Sequence, residues 1–352
     1  MDHYHFCTYF DQNYLARGLV LYRSLTRHAD PFVLHVLCFD DDTYRILKNL
    51  DYSNLRPISL QEFERGDDAL LSAKQNRSQV EYYFTCTPSL PLYIFNHYPD
   101  VDLVTYLDAD LYFYSSPAPI YDELGNQSIL IVEHRFPERF HHLEKFGIYN
   151  VGLLAFRNDR FGKECLAWWR ERCIEWCYDR TETGRFADQK YLDDWAVRFS
   201  QVVVLQHQGA GLAPWNVARY TLRENAEAVF INSDPLVFYH FHHLRRIAPF
   251  LYDPGLRHYD IQIGSILLKR IYAPYLRELQ YLTWQTSDGL LEPLRYQRGY
   301  SVRELLRVLV YNGSLLAISS FVINVHLEPM VRPLLKLRKV ILSQFQDERT
   351  NI

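Results

Sequence analysis

Apolar and polar positions alternate along the first two thirds of the chain in two rhythms. Short apolar runs predict strands over His3–Phe10, Phe32–Phe39, Arg56–Leu60, Leu103–Leu107, Ser128–Val132, Asn150–Phe156, Val202–Leu205, Val229–Asn232 and Leu236–His240. Between them the helical period predicts helices over Leu15–Leu25 and Asp42–Leu50, pieces broken around Pro88 and Pro91 within Ser78–Asn96, a long helix Arg160–Tyr178 capped by Asp159, and another over Arg185–Trp195. Gln61–Asn76 and His134–Gly147 read as irregular, and Gly209–Asn216 as a loop. Strand and helix in alternation imply an α/β unit with a largely parallel sheet. From about Asp260 strands disappear and apolar residues recur at helical spacing among Arg and Lys, as in Arg303–Val310. The expected boundary lies near 255, giving an α/β domain over 1–255 and a helical extension over 256–352.

Leu103–Leu107 ends at Asp108-Ala109-Asp110. If the chain stays extended there, residues two apart share a face, and both carboxylates stand at the carboxyl end of a buried strand, where open α/β sheets place ligands. Two such anions repel unless a proton or a cation lies between them. A divalent metal holding a diphosphate satisfies that demand. The pattern also occurs at Asp40/Asp42 and Asp100/Asp102, where it reads as a polar turn or helix cap; only Asp108/Asp110 sits between a buried strand and an aromatic segment.

A second strand end carries His240, His242 and His243. An imidazole beside two carboxylates suits Mn2+, with Mg2+ the alternative, and His240 and His242 share a face of an extended chain. Asp188 and Gln189 follow Gly184 at the expected start of a helix, where Asp188 either complements the helix dipole or faces a reaction centre. Asn150 begins a strand, with Gly152 two positions on permitting close approach of a ligand or backbone.

Composition narrows the class. The 352 residues are 48% hydrophobic and 15% aromatic, enough for one large domain or two. A net charge of -4 argues against a general nucleic-acid binder. Residues 1–256 carry 25 Lys+Arg against 34 Asp+Glu, whereas 257–352 carry 13 against 8, so the extension is the basic part. It is a candidate for an anionic membrane surface, or simply a solvated helix face. The six cysteines read as small buried residues, with no second close pair to complete a zinc site beside Cys173 and Cys177. Met1–Phe10 has neither the basic start nor the apolar core of a signal peptide, so a cytoplasmic protein is expected, peripheral at most to the inner face of the membrane. Val308–Leu327 lacks Asp, Glu, Lys and Arg for 20 residues, yet its Asn, Ser and His content favours a buried or interfacial helix over a spanning one.

The order of these motifs resembles the retaining nucleotide-sugar glycosyltransferases of the GT-A fold, in particular the family-8 group. The resemblance covers roughly residues 3–245. It implies that Asp108 and Asp110, with Ala109 between them, bind the metal and the donor diphosphate, with His240 as third ligand. It implies that Thr8, Asp11, Asn13 and Tyr14 hold the nucleoside, and that Asn150, Asp188, Gln189 and, on a weaker match, Glu133 face the donor sugar. The implied partners are a nucleotide sugar, a UDP-sugar by family analogy, and a saccharide or lipid-linked acceptor; a homo-oligomer is compatible. Retention implies attack from the leaving-group side, with the diphosphate able to take the proton.

This chain departs from the family in three places. His243 stands for the family's glycine after the histidine. Pro214-Trp215-Asn216 replaces a later Lys-Pro-Trp, making Trp215 and Asn216 acceptor-side candidates. The family arginine has no counterpart near Thr87-Pro88, so Lys74 and Arg77 become candidate phosphate partners. Two other classes are weighed: a haloacid-dehalogenase-type phosphatase, disfavoured because the pair lies far from the N-terminus with Tyr112 two positions beyond, and a nucleotide-sugar-binding protein without turnover.

Overall fold

A computed structural model describes residues 3–248 and 251–285 of the chain. It divides into two compact units, Met1–His240 and Phe241–Ile352. The first unit opens with β1 (Tyr4–Phe10), α1 (Leu15–His28), β2 (Phe32–Cys38), α2 (Asp41–Asn49) and β3 (Leu55–Ser59). Asp40 caps α2 by accepting from the Thr43 amide at 2.7 Å, so the first of the extra Asp-x-Asp patterns is a helix start.

The segment expected to be irregular holds two short helices, α3 (Leu60–Phe63) and α4 (Asp68–Lys74), each nucleated by a side-chain cap, Ser59 and Asp67. Caps rather than apolar periodicity make these helices, and that is why charge hid them. Next come α5 (Gln79–Cys86) and α6 (Ser89–His97), then β4 (Leu103–Leu107). A reciprocal Ser78–Glu81 capping box starts α5, and the break falls at Thr87-Pro88, while Pro91 is accommodated in the first turn of α6.

The remaining elements of this unit are β5 (Leu111–Phe113), α7 (Ala118–Leu124), β6 (Ile129–Glu133), β7 (Tyr149–Arg157), α8 (Arg160–Glu175), β8 (Val202–Val204), β9 (Ala210–Leu212), β10 (Leu222–Glu224), β11 (Val229–Ile231), β12 (Asp234–Pro235) and β13 (Phe238–His240). A 3₁₀ segment, Glu138–Phe146, occupies the expected loop after β6. Asp159 caps α8 as expected, accepting from the Gly162 amide at 2.9 Å. The helix expected over Arg185–Trp195 does not form: Ala187 adopts a left-handed φ of 46°, and only a 3₁₀ turn, Lys190–Asp194, leads into α9 (Trp195–Arg198). Gly209–Asn216 is not all loop, because Ala210–Leu212 pairs in parallel with β13.

The central seven-stranded sheet runs β3-β2-β1-β4-β7-β6-β8. Only β7 opposes its neighbours; the other pairings are parallel. Its middle strands are apolar on both faces, with β4 buried throughout. Trp169 and Trp195 are fully buried against Phe156 of β7, closing one side of the core. A smaller sheet, β5-β13-β9, carries the other half of the site.

The second unit contains an antiparallel hairpin, β14 (Arg245–Ala248) and β15 (Leu251–Asp253), a 3₁₀ turn Leu256–Tyr259, a π turn Leu267–Tyr272 and α10 (Ala273–Gln285). Phe241 stacks on Tyr275 with ring centroids 3.7 Å apart. Among the described residues no helix is long and apolar enough to cross a membrane. Val308–Leu327 and most of the helical extension expected over 256–352, Arg303–Val310 included, lie outside the described residues.

Candidate active site

The two central carboxylates come together by a route the alternation argument did not foresee. β4 ends at Leu107, and Asp108–Asp110 form a turn in which the Leu111 amide donates to the Asp108 carbonyl at 3.2 Å. The chain then crosses from the central sheet into β5 of the smaller one. The pair is thus not on one face of a continuing strand; a turn swings both side chains toward β13. There His240 lies opposite Leu111 in antiparallel register, one residue beyond Asp110. Its Nε2 sits 3.0 Å from Asp110 Oδ1 and 3.6 Å from Asp108 Oδ2.

One ligand atom from each of Asp108, Asp110 and His240 falls within 4.8 Å of the others, the one such cluster among the described residues. Donors at right angles on a small divalent cation, each about 2.1 Å from it, are about 3.0 Å apart. The residues present therefore fit a metal ion. Hard oxygens with one imidazole suit Mn2+ or Mg2+ rather than a thiolate-seeking ion. His242, the other histidine expected to share that face, belongs to the second unit.

Electrostatics agree with a site built to take positive charge. Burial raises the Asp108 carboxyl, and Asp110 adds to the rise, while His240 and the Tyr106 hydroxyl, donating at 2.9 Å, oppose it. Burial alone would lower His240, yet the two carboxylates reverse that and hold it above its ordinary value.

Gly152 on β7 explains how three chain segments approach so closely. A Cβ there would lie 2.9 Å from the His240 ring and 2.5 Å from Asn150 Oδ1. Its carbonyl also accepts from the Asp108 amide at 2.9 Å. Asn150 Oδ1 in turn accepts from the Gly152 amide at 2.9 Å, which leaves the Asn150 amide group facing Gln189 Oε1 and His134 Nε2, each at 3.3 Å. His134 Nδ1 lies 3.1 Å from the Ile148 carbonyl, so Nδ1 carries the proton and Nε2 accepts. Burial lowers His134 to about 4, which keeps this tautomer neutral. Gln189 Nε2 donates to the Phe146 carbonyl at 3.0 Å, fixing its carboxamide from the far side.

Asp188 is 4% exposed. Burial raises its carboxyl to about 7; Thr87 hydrogen bonding resists and Asp108 adds to the rise. The Thr87 hydroxyl also meets the Tyr9 hydroxyl at 3.1 Å. Threonine and tyrosine thus stand beside Asp188 at the position where the resemblance supplies an arginine.

A cleft lined by Glu133, Asn150, Gly211, Trp215 and His240 opens beside the cluster. The Trp215 ring packs edge-on against both His240 and His134, at 5.2 and 5.1 Å. Asn216, in contrast, is fully buried, accepting from the Ala213 amide at 3.0 Å and donating to the carbonyls of His134 and Gly211 at 2.9 Å each. At the exit of β1, Thr8 is fully buried and its hydroxyl has no hydrogen-bond partner among the described residues. Asp11 accepts from the Asn13 amide at 3.0 Å and the Tyr83 hydroxyl at 3.2 Å, and Tyr14 stands at the N-terminus of α1.

The two cations expected to meet phosphate are engaged elsewhere. Lys74 pairs with Glu64 at 2.6 Å, and Arg77 lies over the Tyr178 ring and donates to the Ile174 carbonyl at 3.1 Å. Sequence reasoning missed Arg17, whose Nη1 lies 4.0 Å from Asp110 Oδ2. It also missed Tyr106 and His134. Tyr106 was findable, since it is the i−2 neighbour of Asp108; nothing in the local pattern marks Arg17 or His134.

No protein-family model matches the chain. Its fold is similar to that of the galactosyltransferase LgtC, solved in complex with donor and acceptor sugar analogs, with a TM-score of 0.51 over 75% of this chain and 98% of that one at 18% identity. An active-site mutant of LgtC superimposes with a TM-score of 0.50 over 80% and 95% of the two chains at 15% identity. Two proteins of Bacillus subtilis strain 168 are more alike in sequence. The uncharacterized protein YfnD is 31% identical over 283 residues, 80% of this chain and 90% of its own length. The uncharacterized protein YfnF is 32% identical over 251 residues, 69% and 82%. The chain therefore belongs to the family of YfnD and YfnF and has the GT-A fold of glycosyltransferases.

Proposed function

We propose that the protein is a metal-dependent retaining glycosyltransferase, which moves a sugar from a nucleoside-diphosphate sugar, UDP-linked, to a hydroxyl of a saccharide or lipid-linked acceptor in surface polysaccharide or glycoconjugate synthesis. The observation that carries this reading is the Asp108–Asp110–His240 cluster, set at the carboxyl end of β4 on a fold shared with a galactosyltransferase.

In this reading Asp108, Asp110 and His240 would hold Mn2+ or Mg2+, which when bound would supply positive charge to offset that of a departing diphosphate. The buried Thr8 hydroxyl, with Asp11, Asn13 and Tyr14 at the same strand exit, receives the nucleoside; burial without a partner is costly unless a ligand supplies one. Asn150, Gln189, Asp188 and Glu133 face the sugar. Because the Phe146 carbonyl and Asn150 fix the Gln189 carboxamide, its oxygen is presented in one orientation, ready to oppose positive charge at the anomeric carbon. The acceptor hydroxyl attacks from the side the diphosphate leaves, and a diphosphate oxygen takes its proton. Trp215 forms the apolar wall of the cleft, a surface against which a sugar ring stacks. Asn216 serves that wall by holding the backbone under it.

We further propose residues 1–255 as the transferase domain and 256–352 as the surface for acceptor, membrane or subunit contacts in a cytoplasmic protein. Vesicle sedimentation of the full chain and of one ending at Asp253 tests the membrane part; equal binding by the two removes it.

A panel of UDP-, GDP- and dTDP-sugars incubated with the protein and Mn2+ tests the main reading. Slow release of nucleoside diphosphate, abolished by chelation, supports it. Inorganic phosphate released from a phosphomonoester instead, or no binding of any nucleotide sugar, overturns it.

A further inference from the structure

His134 follows directly on β6 and is 5% exposed. Its ring is held in place. It stacks on Phe136 with centroids 4.7 Å apart and planes 8° from parallel, and Trp215 meets it edge-on. Its own carbonyl accepts from the Asn216 side chain at 2.9 Å. Both ring nitrogens are engaged as well, Nδ1 with the Ile148 carbonyl and Nε2 with the Asn150 amide. We infer that His134 is a positioning residue for the proposed transfer: its bare Nε2 orients the Asn150 carboxamide and, through it, the Gln189 oxygen. This rests on the glycosyltransferase reading and gives that reading a residue it did not contain.

The hydrogen bonds run in one direction between two main-chain carbonyls. The Ile148 carbonyl takes only a donor, so Nδ1 carries the proton and Nε2 accepts. The Gly152 amide needs an acceptor, which places Asn150 Oδ1 there and turns Nδ2 away from it. Nδ2 has two hydrogens, and His134 Nε2 and Gln189 Oε1 each lie 3.3 Å from it. At the far end the Phe146 carbonyl accepts from Gln189 Nε2 at 3.0 Å, so the Gln189 oxygen is the end presented to Asn150. Gly147, at a φ of 139°, lets the backbone close on that carboxamide, since a Cβ there would sit 3.0 Å from Gln189 Cγ. The terminal torsions of Asn and Gln are broad and do not set their own orientation. Without Nε2, one Asn150 hydrogen loses its partner and the pair rocks about the remaining contacts. A reacting group displaced by a fraction of an ångström loses rate more than affinity.

The rival account makes His134 a filler between Phe136 and Trp215. Three variants of the full chain separate the two. His134→Leu fills similar space with no polar atom. His134→Gln brings an amide oxygen to about the place of Nε2. His134→Asn keeps a donor for Ile148 and reaches no further. Each is compared by steady-state hydrolysis of the panel nucleotide sugar that the wild type cleaves fastest, at saturating Mn2+. Calorimetric titration of the nucleoside diphosphate released, and thermal unfolding, complete the set. The inference expects kcat to fall about tenfold to a hundredfold in His134→Leu and His134→Asn, with diphosphate affinity within about twofold of wild type. His134→Gln should recover most of the kcat. Equal kcat losses in His134→Leu and His134→Gln, or losses that simply follow the unfolding temperature, overturn the inference. If His134→Leu does not fold, His134→Asn decides: reduced kcat at unchanged affinity supports the inference, and wild-type kcat ends it. A wild type that cleaves no donor of the panel removes the glycosyltransferase reading and this inference together; variants as active as an active wild type remove the inference alone.

Discussion

Replacing Asp188 by Asn tests the site at a buried carboxyl. The carboxyl is 4% exposed and burial raises it from an ordinary 3.8 to about 7. A raised carboxyl favours the protonated form in the folded state. Its contribution is therefore fully present below the unfolded value and is lost as pH climbs through the folded one. The window runs from near pH 4 to near pH 7, a span of about three units, and at 1.36 kcal/mol per unit the loss reaches about 4 kcal/mol. Asn cannot ionise, so in metal-free, ligand-free protein the variant should gain on the wild type across that window. Urea unfolding at pH 4, 6 and 8 measures it: the two proteins converge toward the acid end and diverge by several kcal/mol at pH 8. Catalysis should move the opposite way. The carboxylate is the group that accepts hydroxyl donors from a sugar, so kcat/KM of the variant should be poor at every pH. Parallel stability curves for the two proteins from pH 4 to pH 8 would refute the reasoning.

Four other outcomes follow from the same geometry. His240→Ala should weaken Mn2+ binding by about a hundredfold, read by titration calorimetry, because one of the three side chains in the cluster is lost. Gly152→Ala drives a methyl into the His240 ring and Asn150; it should cost about 1–3 kcal/mol and lower metal affinity by more than global stability predicts, measured by unfolding and Mn2+ titration in parallel. Asn216→Ala removes three buried hydrogen bonds to the backbone and should destabilise by about 2–4 kcal/mol, with whatever fold remains binding nucleotide normally. Chelation with EDTA should abolish the thermal stabilisation given by UDP, and added Mn2+ should restore it.

Much of the architecture was visible in the periodicity, because strands such as β1, β2 and β4 are buried on both faces and read as unbroken apolar runs. The family of the fold was visible too, since Asp108, Asn150, Asp188 and His240 occur in an order that carries its own meaning. What stayed hidden was geometry without a periodic trace. A single left-handed residue, Ala187, replaces a helix with a turn and so places Asp188 and Gln189 at the cluster. The Asp108–Asp110 turn leaves one sheet for another, which no alternation of side chains announces. Arg17 was missed because its neighbours on the helix are apolar and ordinary; only the approach of α1 to Asp110 gives it a role. Trp215 and Asn216 looked alike in sequence, yet one lines a cleft and the other ties down backbone, and only the folded contacts tell them apart.

The pairing of β5 with β13 has a temporal side. The carboxylates belong to the middle of the first unit and the imidazole to its last strand, so a growing polypeptide carries two mutually repelling anions long before their counterpart emerges. Until that strand docks, the cluster lacks its third side chain, and on the proposed reading the emerging chain has no place to hold a divalent ion.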